Sequence, residues 1–205
     1  AVANLAKIMH QHDKIFVHIS TDYVFDGTTE PHVEDESFSP LSVYGDSKAA
    51  GDIAVSFIPR HYILRTSWVI GDGNNFVRTM LGLAKKDISP TVVADQIGRL
   101  TFTSELVRAI DHLLTSNSEF GTYNVSNGGT PASWAEITRT IFKLAGKAAL
   151  TVTDVTTQQY YTDKESVAPR PLKSTLSLEK ITATGFKPKN WEDELKVYIE
   201  KENQS

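Results

Sequence analysis

The sequence predicts an α/β protein built on a Rossmann-like doubly wound parallel sheet, with a smaller C-terminal lobe. Two observations lead to this fold class. A short, nearly unbroken apolar run over residues 15–20 is typical of a parallel strand that is buried on both faces, and residues 61–66 (HYILRT) are predicted to form a second strand. Amphipathic helical segments alternate with such runs, which is the order that strand–helix–strand units require.

Each predicted element rests on the period of its apolar residues. Helices are predicted where apolar side chains recur every three to four residues, and strands where short runs are almost wholly apolar. In chain order the sequence predicts a helix through 2–9, a strand over 15–20, a polar loop over 22–40, a helix over 42–57, a strand over 61–66, a helix over 75–86 and a strand over 91–94.

The alternation continues through the middle of the chain and ends near Ala148. The elements predicted there are a helix over 103–114, a strand over 122–125, a helix from the Ser133 cap to about Gly146, a polar irregular stretch over 151–171, and short helices around 176–181 and 190–202. We therefore divide the chain into residues 1–130, in the sheet domain, and residues 131–205, in the C-terminal lobe. No start signal precedes the first helix, so the chain is expected to be cut at its N-terminus.

The composition excludes several classes of function. Apolar residues make up 40% of the chain, and the 21 basic and 25 acidic residues give a net charge of −4 with no basic cluster, which argues against a nucleic-acid partner. No apolar stretch approaches the ~20 residues that cross a bilayer, so no membrane partner is expected. The absence of cysteine excludes disulfides and thiolate zinc sites, and the six histidines form no His-Glu-x-x-His arrangement, so no metal is expected. We expect a cytoplasmic protein.

Chemistry is indicated by two stretches, residues 20–27 (STDYVFDG) and residues 44–48 (YGDSK). The first places Thr21 at the carboxyl end of a predicted parallel strand, where ligands bind in doubly wound sheets. The second places Tyr44 and Lys48 four residues apart, on one face of the next helix. The three side chains are therefore predicted to converge on one point.

These residue types suit the reduction of a carbonyl group. A phenol donates its proton more readily when a neighbouring ammonium group stabilises the phenolate, and Lys48 is placed to do this for Tyr44. The hydroxyl of Thr21 would hold the carbonyl oxygen while negative charge develops on it. The alternative is an exposed helix with an incidental Tyr–Lys pair. A second pair with the same spacing, Tyr160 and Lys164, follows no apolar strand, and we interpret it as surface residues.

Longer stretches of the chain carry a resemblance to a known family. They are residues 20–27, 40–52 (PLSVYGDSKAAGD), 64–69 (LRTSWV), 74–76 (NNF), 95–98 (DQIG), 121–124 (GTYN) and 170–174 (RPLKS). In these stretches the chain resembles the extended short-chain dehydrogenase/reductases, and within them the dTDP-4-dehydrorhamnose reductases. The resemblance covers essentially the whole chain and implies that it holds the distal part of the Rossmann-like sheet and a C-terminal substrate-binding lobe. The first strands and the Gly-rich phosphate loop of the family would precede Ala1.

The resemblance also implies roles for individual residues. Thr21, Tyr44 and Lys48 match the catalytic triad, and Tyr44 and Lys48 would also bind the nicotinamide cofactor. Tyr23 and Trp68 match positions that contact substrate, and Arg170 would approach the diphosphate of a sugar nucleotide. For Trp68 the alternative is simple core packing, and for Arg170 it is an ordinary loop residue.

Three departures from the family pattern bear on function. Related 4,6-dehydratases have an acidic residue where this chain has Tyr23, so reduction without loss of water is expected. The reductases often read Gly-x-Pro-Thr-Tyr where residues 98–102 read GRLTF, and Arg99 is expected to alter the pocket. The loop over residues 71–76 lacks the third glycine of a pyrophosphate loop, so we interpret it as a substrate-side loop capped by its asparagines.

The function implied is the NAD(P)H-dependent reduction of dTDP-4-dehydro-6-deoxy-L-mannose to dTDP-L-rhamnose, with NADPH or NADH as cofactor. The residues present do not distinguish these two cofactors. Two alternatives remain: a non-catalytic regulatory subunit resembling the methionine adenosyltransferase beta subunit, and a reductase for another nucleotide sugar. These 205 residues alone are expected to be inactive, with either an open sheet edge or an oligomer, such as a homodimer, that covers it.

Overall fold

The structure is a computed structural model that describes residues 1–162 and 167–203. Its helices are α1 (Val2–Gln11), α2 (Val43–Ser56), α3 (Phe76–Lys85), α4 (Thr103–Thr115), α5 (Trp134–Leu144), α6 (Thr157–Tyr161), α7 (Glu179–Ala183) and α8 (Trp191–Glu202), with a 3₁₀ turn over Asp22–Val24. Its strands are β1 (Phe16–Thr21), β2 (His61–Thr66), β3 (Val69–Ile70), β4 (Thr91–Val93), β5 (Ile97–Gly98), β6 (Thr101–Phe102), β7 (Gly121–Asn124), β8 (Ala132–Ser133) and β9 (Thr153–Val155).

The main sheet confirms the predicted α/β class. It is parallel, in the order β1–β2–β7, and Thr21 at the end of β1 is paired with Thr66 at the end of β2. Every residue of the central strand β2 is buried, including the polar residues His61, Arg65 and Thr66. Helix α2 connects β1 to β2 and packs on β1 and α1, and its first turns lie beside the residues at the carboxyl end of β1.

A second group of elements lies around the largest hydrophobic cluster. Here β4 pairs with β9, and α3 and α8 pack on α5. Ile137 and Ile141 of α5 are fully buried in this cluster, together with Trp191 at the start of α8. The division of the chain at residue 130 remains a prediction. The structure adds that α3 and β4, which precede this residue, pack with elements that follow it.

The stretch over 151–171 departs from the sequence-based expectation. It was predicted to be irregular, but it contains β9 and α6. Strand β9 has three residues, too few to show an alternating pattern, and it forms because β4 pairs with it. Helix α6 begins with a capping box between Thr156 and Gln159, a signal that was present in the sequence. Lys164 of the second Tyr–Lys pair lies outside the described residues.

The helix over 176–181 was also misplaced, because α7 begins at Glu179. Over residues 1–162 and 167–203 we find no helix with the length and apolar character needed to span a membrane.

Candidate active site

A cleft of about 460 Å³ opens at the carboxyl ends of β1 and β2. Because the two strands are parallel and in register, their ends meet at the same edge of the sheet. All six residues predicted for the site line this cleft: Thr21, Tyr23, Tyr44, Lys48, Trp68 and Arg170. The convergence predicted for Thr21, Tyr44 and Lys48 agrees with their positions along this one cleft.

Thr21 is fixed at the floor of the cleft by its own loop. It is the last residue of β1 and the cap of the 3₁₀ turn, and its Oγ1 accepts a hydrogen bond from the Tyr23 amide at 3.2 Å. The same hydroxyl donates to Oδ1 of Asp22 at 3.2 Å. The two residues that follow Thr21 thus supply both hydrogen-bond partners of its hydroxyl.

Helix α2 brings Tyr44 and Lys48 to the cleft. It begins at Ser42, whose Oγ accepts a hydrogen bond from the Gly45 amide at 3.2 Å. A Cβ on Gly45 would lie 2.3 Å from the carbonyl oxygen of Tyr23, so glycine allows the first turn of α2 to approach the loop after β1. This approach places the rings of Tyr23 and Tyr44 edge to face, 5.6 Å apart.

Tyr44 and Lys48 differ in their exposure. The side chain of Tyr44 is 53% exposed at the mouth of the cleft. Lys48 is half-buried, and its Nζ donates a hydrogen bond to the carbonyl oxygen of Ile19. Burial lowers the pKa of Lys48, and the nearby carboxylate of Asp52 opposes this effect.

A buried ion pair beneath α2 was not found by sequence reasoning. Oδ2 of Asp52 accepts a hydrogen bond from Nε of Arg65 at 3.0 Å, and His18 Nε2 lies 3.4 Å from Oδ1. Burial alone would raise the pKa of Asp52, but the nearby side chains of His18, Ser20 and Arg65 more than offset it and the pKa is lowered. The pair ties α2 to β2 one turn beyond Lys48. The only signal in the sequence was an acidic residue four positions after that lysine.

Asp22 is a second residue whose importance was missed. It lines the cleft, is 2% exposed, and follows Thr21 directly. Burial raises its pKa to about 6, against the opposing effects of the Ser174 and Thr21 hydroxyls. A strand-end hydroxyl followed by an acid was visible in the sequence, but the burial of that acid, and its proximity to the distant Ser174, are results of the fold.

The opposite wall of the cleft is aromatic. Trp68 has a left-handed backbone conformation (φ 48°), and its ring stacks on Trp134 with centroids 3.7 Å apart. A Cβ on Gly98 would lie 2.9 Å from the Trp68 ring, so the absence of a side chain at Gly98 allows the indole to pack against the backbone there. Trp68 is half-buried and part of its ring faces the cleft, so it is not simply a core residue. Trp134 was not predicted, because its role depends on packing between α5 and the loop after β2.

Tyr23 and Arg170 both line the cleft and interact electrostatically. Burial raises the pKa of Tyr23, and the positive charge of Arg170 opposes this. Arg170 is exposed and also lines an adjoining cavity of about 360 Å³, which it shares with Trp134, Phe76 and Tyr161. The two cavities therefore have a common boundary.

Asn75 and Arg99 belong to two loops for which the sequence makes specific predictions. Asn75 caps α3 by accepting a hydrogen bond from the Arg78 amide at 3.0 Å, as the capped-loop interpretation predicted. Arg99 was expected to alter the pocket, but it does not line the cleft among the described residues. Gly98 faces the Trp68 ring, while the Arg99 side chain hydrogen-bonds the carbonyl oxygen of Leu176 and lines a different cavity.

Comparison of the sequence with known proteins shows the family to which the chain belongs. Residues 1–204 match the family described as "RmlD substrate binding domain". The chain belongs to this family. Among curated relatives, the RmlD-type chain is 39% identical over 188 residues to the spore coat polysaccharide biosynthesis protein SpsK of Bacillus subtilis, covering 90% of this chain and 64% of SpsK. It is 38% identical over 210 residues to the dTDP-4-dehydrorhamnose reductase of Aggregatibacter actinomycetemcomitans, covering 95% of this chain and 69% of that protein.

Solved structures give the same result. The dTDP-4-dehydrorhamnose reductase of Bacillus anthracis, in complex with NADP, is 36% identical and superposes with a TM-score of 0.87 over 97% of this chain and 70% of that chain. The RmlD-type chain therefore spans about two thirds of the length of the proteins it matches, and the activity of the whole protein is treated below as a proposal.

Proposed function

We propose that the protein reduces the 4-keto group of dTDP-4-dehydro-6-deoxy-L-mannose, giving dTDP-L-rhamnose, with NADPH or NADH as cofactor. The observation that carries the proposal is that Thr21, Tyr44 and Lys48 line one cleft at the carboxyl edge of the sheet. The likeness to dTDP-4-dehydrorhamnose reductases over most of the chain supports it.

In the proposed reaction a reduced nicotinamide, when bound, supplies the hydride that adds to C4 of the sugar. The phenol of Tyr44 donates its proton to the former carbonyl oxygen, so the products are an alcohol and the oxidised cofactor. The ammonium group of Lys48 stabilises the phenolate that forms, and solvent returns the proton to Tyr44. Thr21 hydrogen-bonds the same oxygen and fixes its position.

The donor set at the mouth of the cleft fits a nicotinamide nucleotide. The phenol of Tyr44 and the ammonium group of Lys48 suit the neighbouring hydroxyls of a ribose, which accept and donate hydrogen bonds. NADP in the complex of the Bacillus anthracis protein supports NADPH as the cofactor here. The regulatory-subunit alternative is not favoured by the comparisons.

The adjoining cavity is proposed to bind the nucleotide of the substrate. Arg170 lies where the two cavities meet and carries a guanidinium group suited to a diphosphate, and aromatic side chains of the adjoining cavity suit a base. In this proposal the sugar lies against Tyr23 and Trp68. The lobe over residues 131–205, together with α3 and β4, is then the substrate-binding lobe.

Tyr44→Phe tests the reaction directly in the protein as its gene encodes it. We expect kcat for NADPH oxidation with the 4-keto sugar nucleotide to fall by at least about a hundredfold, because the proton donor is removed. NADPH binding and the thermal melting curve serve as controls and should change little. Near-normal turnover of Tyr44→Phe would contradict the proposal, and comparison of several 4-keto sugar nucleotides identifies the preferred substrate.

Composition and surface bear on the cellular setting and the assembly of the protein. We propose a cytoplasmic protein that forms a homodimer. Apolar side chains on two adjacent helices support the dimer: Leu5 and Ile8 of α1 and Ile53 of α2 are all exposed.

A further inference from the structure

The hydroxyl of Thr21 carries a single proton, and in the structure this proton is donated in a hydrogen bond to a neighbouring residue. Oγ1 of Thr21 donates to Oδ1 of Asp22 at 3.2 Å and accepts from the Tyr23 amide at 3.2 Å. Only a lone pair of the oxygen then remains for the cleft. A carbonyl oxygen that gains negative charge requires a donor, and a lone pair directed at it would be repulsive.

The protonation state of Asp22 determines whether the Thr21 hydroxyl donates its proton to Asp22 or into the cleft. Asp22 is 2% exposed, and its second oxygen, Oδ2, makes no hydrogen bond of standard geometry among the described residues. The Ser174 hydroxyl lies near the carboxyl and lowers its pKa, but burial outweighs this effect. A buried ionised carboxylate with an unpartnered oxygen is costly, whereas a neutral carboxyl loses less by burial. The neutral form can donate a hydrogen bond to Thr21, whose own proton is then free to enter the cleft.

The titratable groups that face Asp22 belong to the 3₁₀ turn and to the loop before α2. Tyr23 follows it in the 3₁₀ turn, and His32 lies in the loop before α2, between Glu36 Oε2 at 2.8 Å and the Lys173 carbonyl oxygen at 3.0 Å. Positive charge on His32 lowers the pKa of Asp22, but burial outweighs it and the pKa is raised to about 6. Both forms of the carboxyl are thus accessible within the pH range in which enzymes are assayed.

We propose that Asp22 is a positioning residue that acts in its neutral form, by releasing the Thr21 hydroxyl to donate a hydrogen bond to the substrate's carbonyl oxygen. This inference rests on the proposed reductase function. Asp22 does not touch the substrate in this role, since Oδ2 is buried, and it acts through Thr21 alone. Reduction should therefore be faster when Asp22 is protonated.

The test is the pH dependence of kcat/KM, measured in the encoded protein with NADPH and the 4-keto sugar nucleotide between pH 5 and about 8.5. For the wild type we expect kcat/KM to fall about tenfold through a titration near the pKa of about 6, the loss expected for one hydrogen bond. Asp22→Asn keeps the shape of the side chain and always offers an amide donor to Thr21. Its profile should lack this titration, and its kcat/KM at pH 8 should equal or exceed that of the wild type.

Asp26→Asn is the matched control. Asp26 lies in the same loop, is hydrogen-bonded to Thr28 and does not line the cleft among the described residues, so its profile should retain the wild-type titration. An Asp22→Asn protein that folds and binds NADPH but keeps the titration, or that is inactive at every pH, would overturn the inference while leaving the reductase function intact. No turnover by the wild type at any pH would instead remove the proposed function, and this inference with it.

A second variant tests the inference if Asp22→Asn does not fold. Thr21→Val removes the hydroxyl, and we expect it to lower kcat/KM about tenfold at pH 5, where Thr21 is free to donate. At pH 8 its effect should be small, because the wild-type hydroxyl is then directed at Asp22. An equal loss at both pH values would show that Asp22 does not control the hydroxyl.

Discussion

At the scale of single residues, the site depends on buried carboxyl groups with opposite pKa shifts. The pKa of Asp52 is lowered by the nearby side chains of His18, Ser20 and Arg65, whereas the pKa of Asp22 is raised by burial. Asp52 therefore contributes stability at neutral pH, which is lost as the pH falls through its folded-state pKa. Asp22 contributes stability at low pH, which is lost as the pH rises through about 6.

Asp22→Asn should consequently change the stability of the protein in a pH-dependent way. A pKa raised from 3.8 to about 6 makes the ionised carboxylate roughly 3 kcal/mol less favourable in the folded chain than in the unfolded one. About half of this difference develops between pH 5 and pH 8, because the unfolded chain already ionises near pH 4. The variant should therefore gain roughly 1.5 kcal/mol of free energy of unfolding relative to the wild type over that interval. Urea unfolding at the two pH values measures the difference, and an unchanged difference would show that Asp22 is ionised at both.

Asp52→Asn should have the opposite consequence at neutral pH. It leaves Arg65 buried without its carboxylate partner, and breaking such a pair costs about 3–5 kcal/mol. Asp46→Asn is the control on the same helix, because Asp46 is exposed in the first turn and its charge contributes only about 0.3–1 kcal/mol. Equal urea midpoints for the two variants would contradict the structural role of Asp52.

At the scale of elements, helix α2 shows how much the sequence could predict. Its start at the Ser42 cap, its length and the common face of Tyr44 and Lys48 all follow from local signals. Its distance from the loop after β1 does not, because this depends on what Gly45 meets in the folded chain. The same limit applies to Trp134, Asp52 and the pairing of β9, whose partners are distant in sequence.

Gly45→Ala tests the close approach of α2. A helical glycine replaced by alanine normally gains about 1 kcal/mol, but here the new Cβ would lie 2.3 Å from the Tyr23 carbonyl oxygen and 2.9 Å from Pro40 Cβ. We expect a loss of stability together with lower turnover, because α2 must shift and carry Tyr44 with it. Gly82→Ala is the control within α3, where a Cβ meets open space, and it should stabilise the protein by roughly 0.5–1 kcal/mol. A stabilising Gly45→Ala in thermal or urea unfolding would contradict the geometry.

At the scale of the whole molecule, the exposed apolar residues on α1 and α2 bear on assembly. Phe57, at the end of α2, is 82% exposed and lies one turn beyond Ile53. If these helices form the proposed homodimer interface, Phe57→Lys should shift sedimentation from dimer to monomer without lowering the melting temperature of the monomer. A wild type that sediments as a monomer at micromolar concentration would rule out a stable homodimer.

The shared boundary between the cleft and the adjoining cavity has a consequence for how the two can vary. Trp134 stacks on the Trp68 ring and also lines the adjoining cavity. A substitution at this position therefore alters both compartments at once. If the substrate binds as proposed, selectivity for its sugar cannot be separated there from affinity for the group attached to the sugar. Mutational changes that tune one trait alone must arise elsewhere, at side chains such as Tyr23 or Phe76 that line only one compartment.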